Sequence, residues 1–272
     1  MIRGIIVYDK ADAAHNEWFI NHMIEEGQAQ GLFLELKVTD GEDELTVDKG
    51  IEFAVMRNRN YRMSEYLEGL GIRCFNSSHV CRLGNDKWEM YREFSGTRIP
   101  VMYTQLSKLP YPFVMKPRDG HGGENVFLIN NAEEYDKAKS SLKEEEFEGY
   151  IYQMPASEKG RDIRVYVVGD TILTAMERKA ENAEKDFRAN FSLGGTAAEH
   201  ALTEDELKVA ARTAEYLQAD FVGIDLIYNN GKPVVNEIED AVGTRMLYKE
   251  TDIDAVKEYI SWIKSRLTDS EG

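Results

Sequence analysis

The stretch FVGIDLIYNNGKPVVNEIE, residues 221–239, predicts a β-hairpin. Two apolar segments flank Asn-Asn-Gly, and such a turn between hydrophobic strands is a strong hairpin signal. Side chains alternate between the two faces of a strand, so the length of the turn decides which residues share a face. This matters because the hairpin carries three carboxylates, those of Asp225, Glu237 and Glu239.

The turn allows two registers, which place these carboxylates differently. With a two-residue loop, Asp225 faces Asn236 and lies on the face opposite to Glu237 and Glu239. With a three-residue loop, Asp225 faces Val235, and all three carboxylates share one face, where they could bind one or two hard cations through oxygen. The alternative is a set of acidic side chains on the solvated face of an edge strand. The turn sequence alone leaves both open.

Upstream of the hairpin, the chain divides into an α/β start and an α+β remainder. Apolar runs alternate with helix-period segments through about the first hundred residues, which favours a parallel sheet covered by helices. From about Phe113 the strands are joined by glycine-bearing turns, so these sheets should be largely antiparallel. We predict an N-terminal α/β domain at 1–80, a central lobe at 81–155 and a C-terminal lobe at 156–272.

The pattern also predicts individual elements. Apolar spacing indicates a helix over 14–30, and a short apolar run indicates a strand over 99–104. A further helix begins at Thr203, where Glu206 three residues later completes a capping-box signature. Leu207 is expected on the apolar face of that helix.

The composition indicates a globular protein and excludes some classes of function. The 33 basic and 49 acidic residues give a net charge of −16, which opposes nucleic-acid binding, because such binding depends on basic groups that neutralise phosphates. No apolar run approaches the ~20 residues of a membrane span, and none near the start resembles a secretory signal, so we expect a cytoplasmic protein. Cys74 and Cys81 are expected to be ordinary thiols. An anionic ligand would need a local cluster of cations.

Lys116 is the first candidate for such a cluster. It ends an apolar strand and precedes the glycine-rich loop RDGHGG at 118–123. Its ammonium could contact a phosphate, and the glycines could direct backbone N–H groups at the same anion. His121 in this loop is a candidate substrate contact. The alternative is a plain glycine-rich β-turn.

The segment YIYQMPASEKGRDIRVYVVGD, residues 150–170, joins two strands through a connector. YQMP ends the first strand, and a strand end followed by a connector is a common place for adenine to hydrogen-bond to the backbone. Asp162 and Arg164 lie just before the second strand. The alternative is a surface loop with solvated charges.

The segment MERKAENAEKDFRANFSLGG, residues 176–195, is a cation cluster of the kind that the acidic background requires. Arg178, Lys179, Arg188 and Asn190 flank a loop that ends in two glycines. They are candidates for phosphate contacts. A run of charges is more often a solvated face, which is the alternative here.

Taken in order, these motifs resemble the ATP-grasp superfamily, and within it the RimK-like branch of carboxylate–amine ligases. A lysine precedes a glycine loop, a connector carries Asp-Ile-Arg, an Asp-Phe-Arg-x-Asn segment follows, and Asp and Glu-x-Glu lie on a hairpin. The resemblance covers roughly residues 75–250. It implies a parallel α/β domain followed by two α+β lobes whose largely antiparallel sheets enclose the nucleotide.

The resemblance implies nucleotide contacts at specific positions. Lys87 and Lys116 would contact the phosphates of ATP. The backbone around Gln153 and Met154 would read adenine, and Asp162 would contact the ribose.

It also implies catalytic residues and metal ligands. Arg188 and Asn190, with Arg164 or Arg178, would face the γ-phosphate and the reacting acyl group. The ligands of magnesium, or of manganese, would be Asp225, Glu237 and Glu239.

The chemistry implied by the resemblance has two steps. A small-molecule or peptide carboxylate attacks the γ-phosphate of ATP to give an acyl phosphate and ADP, and an amine then displaces phosphate to leave an amide. No side-chain nucleophile is required, in keeping with the absence of a Gly-x-Ser-x-Gly motif from the sequence. Arg245, after the hairpin, is a candidate contact for a substrate carboxylate, with a salt bridge to nearby acids as the alternative. We also expect a homo-oligomer.

One position departs from the family pattern. RimK-like enzymes typically have Glu-x-Asn where this chain has Glu237-Ile238-Glu239. A carboxylate in place of an amide makes the site more acidic, so divalent ions should bind more tightly or in a different number. An active ligase is favoured because the other motif residues remain. The alternatives are a catalytically silent nucleotide-binding regulatory protein and a ligase that modifies a peptide or carrier protein.

Overall fold

A computed structural model of the chain describes residues 2–120, 123, 125–143, 147–181 and 196–269. Within these residues the chain forms three β-sheets with helices packed against them. None of the helices in this part of the chain is long and apolar enough to cross a membrane. A parallel sheet is followed by two antiparallel sheets, as the sequence pattern predicts.

The first sheet is parallel and is covered by helices. Its strands are β1 Ile2–Asp9, β2 Leu32–Thr39, β3 Phe53–Met56 and β4 Arg73–Phe75. Its helices are α1 Lys10–His15, α2 Glu17–Ala29 and α3 Tyr61–Gly69. The strand order is β2-β1-β3-β4. The helix predicted over 14–30 is confirmed by α2 over residues 17–29, but its start is wrong, because the non-helical backbone of Asn16 separates α2 from α1.

Two short helices connect the first sheet to the second. They are α4 Ser78–Asn85, which the sequence pattern did not predict, and α5 Lys87–Ser95. Asp86 caps α5, since its side chain accepts hydrogen bonds from the N–H groups of Trp88 and Glu89. Arg118 donates to the same carboxylate at 2.6 Å. These contacts hold the start of α5, and with it Lys87, beside the glycine-rich loop.

The second sheet is antiparallel. Its strands are β5 Thr104–Gln105, β6 Phe113–Pro117, β7 Phe127–Ile129 and β8 Tyr150–Gln153, with α6 Ala132–Ser140 packed on it. The order is β5-β8-β6-β7. The strand predicted over 99–104 is wrong apart from its last residue. Val101 forms only an isolated bridge to Val235 of the third sheet.

The third sheet is also antiparallel and contains the predicted hairpin. Its strands are β9 Arg161–Val168, β10 Thr171–Lys179, β11 Thr196–Glu199, β12 Phe221–Asn229 and β13 Lys232–Glu239. Three helices accompany it, α7 Glu204–Leu217, α8 Arg245–Glu250 and α9 Ala255–Thr268. The order is β11-β10-β9-β12-β13. The capping box of Thr203 and Glu206 is confirmed, whereas Leu207 is 47% exposed and lies off the buried face of α7.

Side-chain alternation along β9 separates an apolar core from a polar centre. Ile163 and Val165 are fully buried in the core that the third sheet shares with α7. Asp162 and Arg164 point to the other face, because side chains alternate along a strand. Tyr166 on that face packs in the core shared with the first sheet and α9. The charged side chains therefore lie between the third sheet and its neighbours.

The three sheets occupy separate parts of the sequence. They use residues 2–75, 104–153 and 161–239. The boundaries predicted near residues 80 and 155 fall between these ranges. That each sheet belongs to a separate domain stays a prediction.

Candidate active site

The hairpin of β12 and β13 turns through two residues, Asn230 and Gly231. Both have positive φ, 52° and 72°, as the tight turn of a two-residue hairpin requires. Next to the turn, Tyr228 pairs with Pro233. The two-residue loop is therefore the observed one, and the three-residue alternative is wrong.

A β-bulge farther along the hairpin changes the consequence of that turn. Asn236 is an extra residue in β13, and beyond it Asp225 pairs directly with Glu237, and Gly223 with Glu239. One inserted residue reverses which side chains share a face. Asp225, Glu237 and Glu239 therefore lie on one face, as the metal hypothesis requires, although neither predicted register places them there in this way.

Asn236 contacts Lys116 and Tyr91 at the bulge. Nζ of Lys116 donates to Oδ1 of Asn236 at 3.2 Å and to the hydroxyl of Tyr91 at 3.0 Å. The Tyr91 hydroxyl donates to the carbonyl oxygen of Asn236 at 2.5 Å. Burial lowers the pKa of Lys116 to about 8, against the attraction of the Glu237 carboxylate. Asn236, whose insertion sets the register of the hairpin acids, therefore also holds Lys116.

Lys87 approaches the same place from the start of α5. Its Nζ lies 2.7 Å from Oε1 of Glu237. It also donates to the carbonyl oxygen of Gly120 in the glycine-rich loop. Lys87 and Lys116 are both buried and line one cavity, so two ammonium groups meet beside Glu237.

This first cavity lies between the second and third sheets and has an apolar part and a cationic part. Val114, Leu128 and Ile227 line the apolar part. Lys116 lies two residues after Val114 on the same face of β6, so the cationic part of the cavity lies next to the apolar part. Such a cavity suits a ligand with a flat apolar ring at one end and an anionic group at the other.

Gln153, one of the two predicted adenine contacts, lines this cavity. Nε2 of its side chain donates to Oγ1 of Thr104 at 3.0 Å. The N–H group of Met154 donates to the carbonyl oxygen of Tyr103 at 2.9 Å. That backbone donor is therefore already paired, and an adenine contact at this position stays a prediction.

Four buried charged side chains form a network across β10, β9 and β12. The strand registers place Arg178 opposite Asp162, and Arg164 opposite Asp225. Arg178 donates to the two oxygens of Asp162 at 2.6 and 2.8 Å, and Arg164 donates to those of Asp225 at 2.8 Å each. Arg178 also reaches Asp225, at 2.6 Å. Both Asp162 oxygens are thus paired, and its ribose contact stays a prediction.

The arginines affect the acids of the site unequally. Burial alone would raise the pKa of Asp225, but the guanidinium groups of Arg164 and Arg178 lower it below its ordinary value. Burial raises the pKa of Glu239, and Arg164, 2.5 Å from its Oε1, offsets only part of that effect. Asp225 therefore stays ionised, whereas Glu239 is the hairpin acid that burial makes easier to protonate.

The hairpin carboxylates match a hard cation in chemistry and lie on one face of the hairpin. Carboxylate oxygens are the donors that magnesium prefers, and the register puts the three groups on one face. Each of them contacts at least one lysine or arginine. In the described part of the chain, the group of three potential metal ligands whose ligand atoms lie within 4.8 Å of one another is not the hairpin acids. It consists of His22, Glu26 and Asp254. Convergence of the hairpin acids on one ion would therefore require these cations to move.

A second cavity of about 640 Å³ lies on the other side of Glu237, which lines both cavities. Its walls include the other two hairpin acids and the arginines that contact them. Arg57 and Arg59, which follow β3, also line it. Arg245, predicted as a substrate contact, lines it from α8. Glu237 thus stands between a cavity with two lysines and a larger one with several arginines.

Sequence reasoning missed the contribution that α2 and the segment after β3 make to this second cavity. Trp18, Arg57 and Arg59 all line it. The signal was available, because Arg57 and Arg59 directly follow β3, and ligands bind outside the carboxyl ends of parallel strands. Arg57 is buried and donates to the carbonyl oxygen of Val242 at 2.8 Å. Arg59 has a φ of 56°, a backbone conformation uncommon outside glycine and often found at functional sites.

The structure describes only part of the predicted cation cluster at 176–195. Arg178 belongs to the buried network, whereas the side chain of Lys179 is 55% exposed and pairs with Glu177 at 2.6 Å. Arg188 and Asn190 lie outside the described residues, as does His121. Their roles stay predictions.

Sequence comparison identifies related proteins. A family model for the RimK-like ATP-grasp domain matches residues 99–263. A protein of Haemophilus influenzae named probable alpha-L-glutamate ligase is 28% identical over 212 residues, which cover 74% of this chain and 70% of that protein. An uncharacterized protein of Mycoplasma pneumoniae is 29% identical over 256 residues, which cover 91% and 87%.

Structure comparison gives matches over nearly the whole chain. D-cycloserine synthetase superposes with a TM-score of 0.73 at 18% identity, covering 97% of this chain and 99% of that one. D-alanine–D-alanine ligase of Bacillus anthracis, solved in complex with ATP, gives a TM-score of 0.72 at 16% identity, covering 100% of both chains. These proteins share the fold of this chain.

Proposed function

The chain belongs to the RimK-like ATP-grasp family of carboxylate–amine ligases, and we propose that it joins the carboxylate of an amino acid or peptide to an amine through an acyl phosphate. The resemblance inferred from the order of the motifs is thereby confirmed. One observation supports the proposal most directly: Glu237 lines both the cavity with two lysines and the larger cavity with several arginines. A group transferred from a nucleotide in the first cavity to a carboxylate in the second would pass beside this residue.

ATP is proposed to bind in the first cavity. Adenine would lie against the apolar wall that includes Val114 and Ile227, and the phosphates would lie toward Lys87 and Lys116. Two buried ammonium groups supply the local positive charge that a polyphosphate needs in a chain of net charge −16. When Lys87 turns to a phosphate, it releases the Glu237 oxygen that lies 2.7 Å from its Nζ.

Asp225, Glu237 and Glu239 are the proposed magnesium ligands, because the bulge puts all three on one face, and Glu237 among them lines the first cavity next to Lys87. Magnesium held by these carboxylates would supply positive charge that offsets the negative charge of the transferred phosphoryl group. Arg164 contacts both Asp225 and Glu239 and lines the second cavity. Its guanidinium is thus placed to stabilise negative charge on the acyl phosphate.

The reaction then follows from positioning and charge stabilisation. A substrate carboxylate oxygen forms a bond to the γ-phosphorus of ATP, the bond to the β,γ-bridging oxygen breaks, and ADP leaves. The amine nitrogen next attacks the carbonyl carbon, phosphate departs with the C–O electron pair, and the amine loses a proton. The lysines and arginines bind and orient the groups and stabilise the charge that develops.

The second cavity suggests the class of carboxylate substrate. Arg59 and Arg245 line it in addition to the arginines that contact the hairpin acids. Guanidinium groups bind carboxylates in a two-pronged geometry. We therefore propose a substrate with a second carboxylate besides the reacting one, such as glutamate or a peptide that contains it. The name of the Haemophilus influenzae relative agrees with this choice.

An ADP-release assay with magnesium and ATP tests the function. Glutamate, other amino acids and short peptides are supplied both as the carboxylate substrate and as the amine substrate, and products are identified by mass spectrometry. We expect ADP release only when a carboxylate and an amine are both present, with one amide formed for each ADP. ATP binding without turnover on the whole panel would support a catalytically silent protein. Failure to bind ATP with magnesium at about millimolar concentration would contradict the nucleotide assignment.

The affinity for ATP is expected to fall as the pH rises above about 8. Burial lowers the pKa of Lys116 to about 8, so above that pH the free protein loses an ammonium that bound phosphate would keep protonated. Linkage then raises the dissociation constant by up to about tenfold for each pH unit. Calorimetric titration with a non-hydrolysable ATP analogue between about pH 7 and about pH 9 measures this slope.

The matched control for this slope is Lys116→Arg. A guanidinium stays protonated throughout this pH range, so the variant should show a flatter profile, whatever its absolute affinity. Equal slopes in the two proteins would show that Lys116 is not the titrating group.

A further inference from the structure

The outer edge of β2 is a free edge of the first sheet. β2 pairs with β1 along its whole length, and within the described residues it ends the strand order. Phe33, Leu36 and Val38 on this strand are 44%, 37% and 50% exposed. A long edge strand with exposed apolar side chains is a template for pairing with another strand.

The hydrogen-bond pattern shows which backbone groups face outward. The carbonyl oxygens of Arg3 and Val7 accept hydrogen bonds from the β3 side, so the even-numbered residues of β1 bond to β2. In a parallel ladder, a residue hydrogen-bonds to the two residues that flank its partner on the neighbouring strand. The partners of the even-numbered β1 residues are the even-numbered residues of β2. The odd-numbered residues of β2 therefore bond inward. Leu34, Leu36 and Val38 present their N–H and C=O groups at the outer edge.

The charges on β2 select one register for self-pairing. Consider two antiparallel β2 strands related by a two-fold axis. Side chains that oppose each other directly must lie on the same face of the sheet, so the residue on the axis lies opposite the same residue of the second strand. Glu35 or Lys37 at the centre would oppose a like charge, which is unfavourable. Leu34 at the centre would leave one end of the strand unpaired. With Leu36 at the centre, Glu35 lies opposite Lys37 of the second copy, twice by symmetry, and residues 33–39 are all paired.

We propose that two copies of this chain pair their β2 strands antiparallel about Leu36 and so join two four-stranded sheets into one. Leu34, Leu36 and Val38 form the hydrogen-bonded pairs. Glu35 and Lys37 fall in the non-hydrogen-bonded pairs, where opposed side chains are closest. The net charge of −16 on each copy opposes association, so local opposite charges at the contact are needed to offset it and to set the register.

In the described part of the chain, the ion pairs that Glu35 and Lys37 form are weak ones at the surface. Arg3 lies 3.5 Å from Glu35, and Asp48 lies 3.9 Å from Lys37, in pairs whose side chains are all at least 30% exposed. Exposed pairs of this kind contribute only about 0–1 kcal/mol. No residue of β2 lines either cavity of the candidate active site, so the pairing leaves that site accessible.

A charge exchange tests the contact. Sedimentation of the wild type at tens of micromolar should give twice the chain mass of 31.1 kDa. Glu35→Lys and Lys37→Glu each create two like-charge pairs and should weaken the dimer by about tenfold or more. The double variant E35K/K37E restores opposite charges and should dimerise like the wild type. ATP binding should be equal in all four proteins, which shows that they fold.

Two results would overturn the proposal. One is a monomeric wild type at about 100 μM. The other is a dimer that neither single charge variant weakens, because that dimer would use another surface.

Single cysteines test the register. Opposed Cα atoms in a hydrogen-bonded pair are about 5.5 Å apart, so Leu36→Cys can form a disulfide with its own copy. Val38 is about 13 Å from its copy in this register, beyond disulfide reach. Cys74 and Cys81 are buried, so the wild type should not cross-link. Cross-linking of V38C but not of L36C would contradict the pairing about Leu36.

Discussion

Replacement of Glu237 by glutamine is expected to lower the kcat of ligation by about 100-fold to 1,000-fold. Glutamine keeps the size of the side chain but removes the negative charge at the residue that lines both cavities. The expected factor corresponds to about 3–4 kcal/mol of lost transition-state stabilisation, a reasonable value for a weakened metal site. Lys87 loses the charged partner that lies 2.7 Å from its Nζ and is held less strongly away from a phosphate, so the dissociation constant of ATP measured without magnesium should not rise. Steady-state ADP release and nucleotide titration measure the two quantities.

Two other variants make this result specific. Glu204→Gln changes an acid whose side chain is 81% exposed on α7, and it should leave kcat and ATP binding unchanged. Glu239→Asn installs the amide that is typical of RimK-like enzymes. It should retain activity but change the magnesium concentration that gives half-maximal rate. Full kcat in Glu237→Gln would remove this residue from the proposed metal site.

The hairpin shows how far local sequence signals reach. Asn-Asn-Gly correctly predicted the turn, because Asn230 and Gly231 adopt the positive φ angles that such a turn requires. The register beyond the bulge could not be predicted in the same way. Asn236 is held there by Lys116 and Tyr91, which are far from it in sequence. The face on which Asp225 and Glu237 meet is therefore decided by tertiary contacts.

The buried ion pairs were hidden for a related reason. Arg164 and Arg178 were predicted to face phosphate or the acyl group, which stays a prediction, and both lie in the buried ion-pair network. Their partners follow only from the strand order β10-β9-β12, which places each arginine opposite an aspartate. Periodicity within a segment predicts a strand but not its neighbours.

Short irregularities were also missed. α4 is eight residues long and Asn16 interrupts a helical pattern at one position. Signals of that length are weak compared with the long apolar periods that correctly indicated the parallel sheet and α7. Most of the fold could therefore be predicted, whereas the pairing of charges within the site could not.

Removal of the Arg178 guanidinium is expected to give the largest loss of stability. Arg178→Ala leaves the carboxylate of Asp162 buried without the two hydrogen bonds at 2.6 and 2.8 Å that it accepts from this arginine. An uncompensated buried charge lowers the free energy of unfolding by about 3–5 kcal/mol, which corresponds to a fall in Tm of roughly 6–20 °C for a chain of this size. Thermal and urea unfolding followed by circular dichroism measure the loss.

The pH dependence of this loss identifies its cause. Burial already raises the pKa of Asp162 in the wild type, and removal of the cation raises it further. A carboxyl whose pKa is higher in the folded than in the unfolded state takes up a proton on folding, so the variant should recover stability relative to the wild type as the pH falls toward about 5. A loss that is the same at all pH values would instead indicate lost packing.

Two companion variants separate unpaired charge from lost side-chain volume. The double variant D162N/R178M removes both charges and keeps the bulk of the arginine stem, so it should be more stable than Arg178→Ala. Arg92→Ala removes the same atoms from α5, where the side chain is 57% exposed and pairs with Glu89, and it should lower the free energy of unfolding by less than about 1 kcal/mol. If Arg178→Ala were no worse than Arg92→Ala, the buried network could not be what holds β9, β10 and β12 in their arrangement around Asp225.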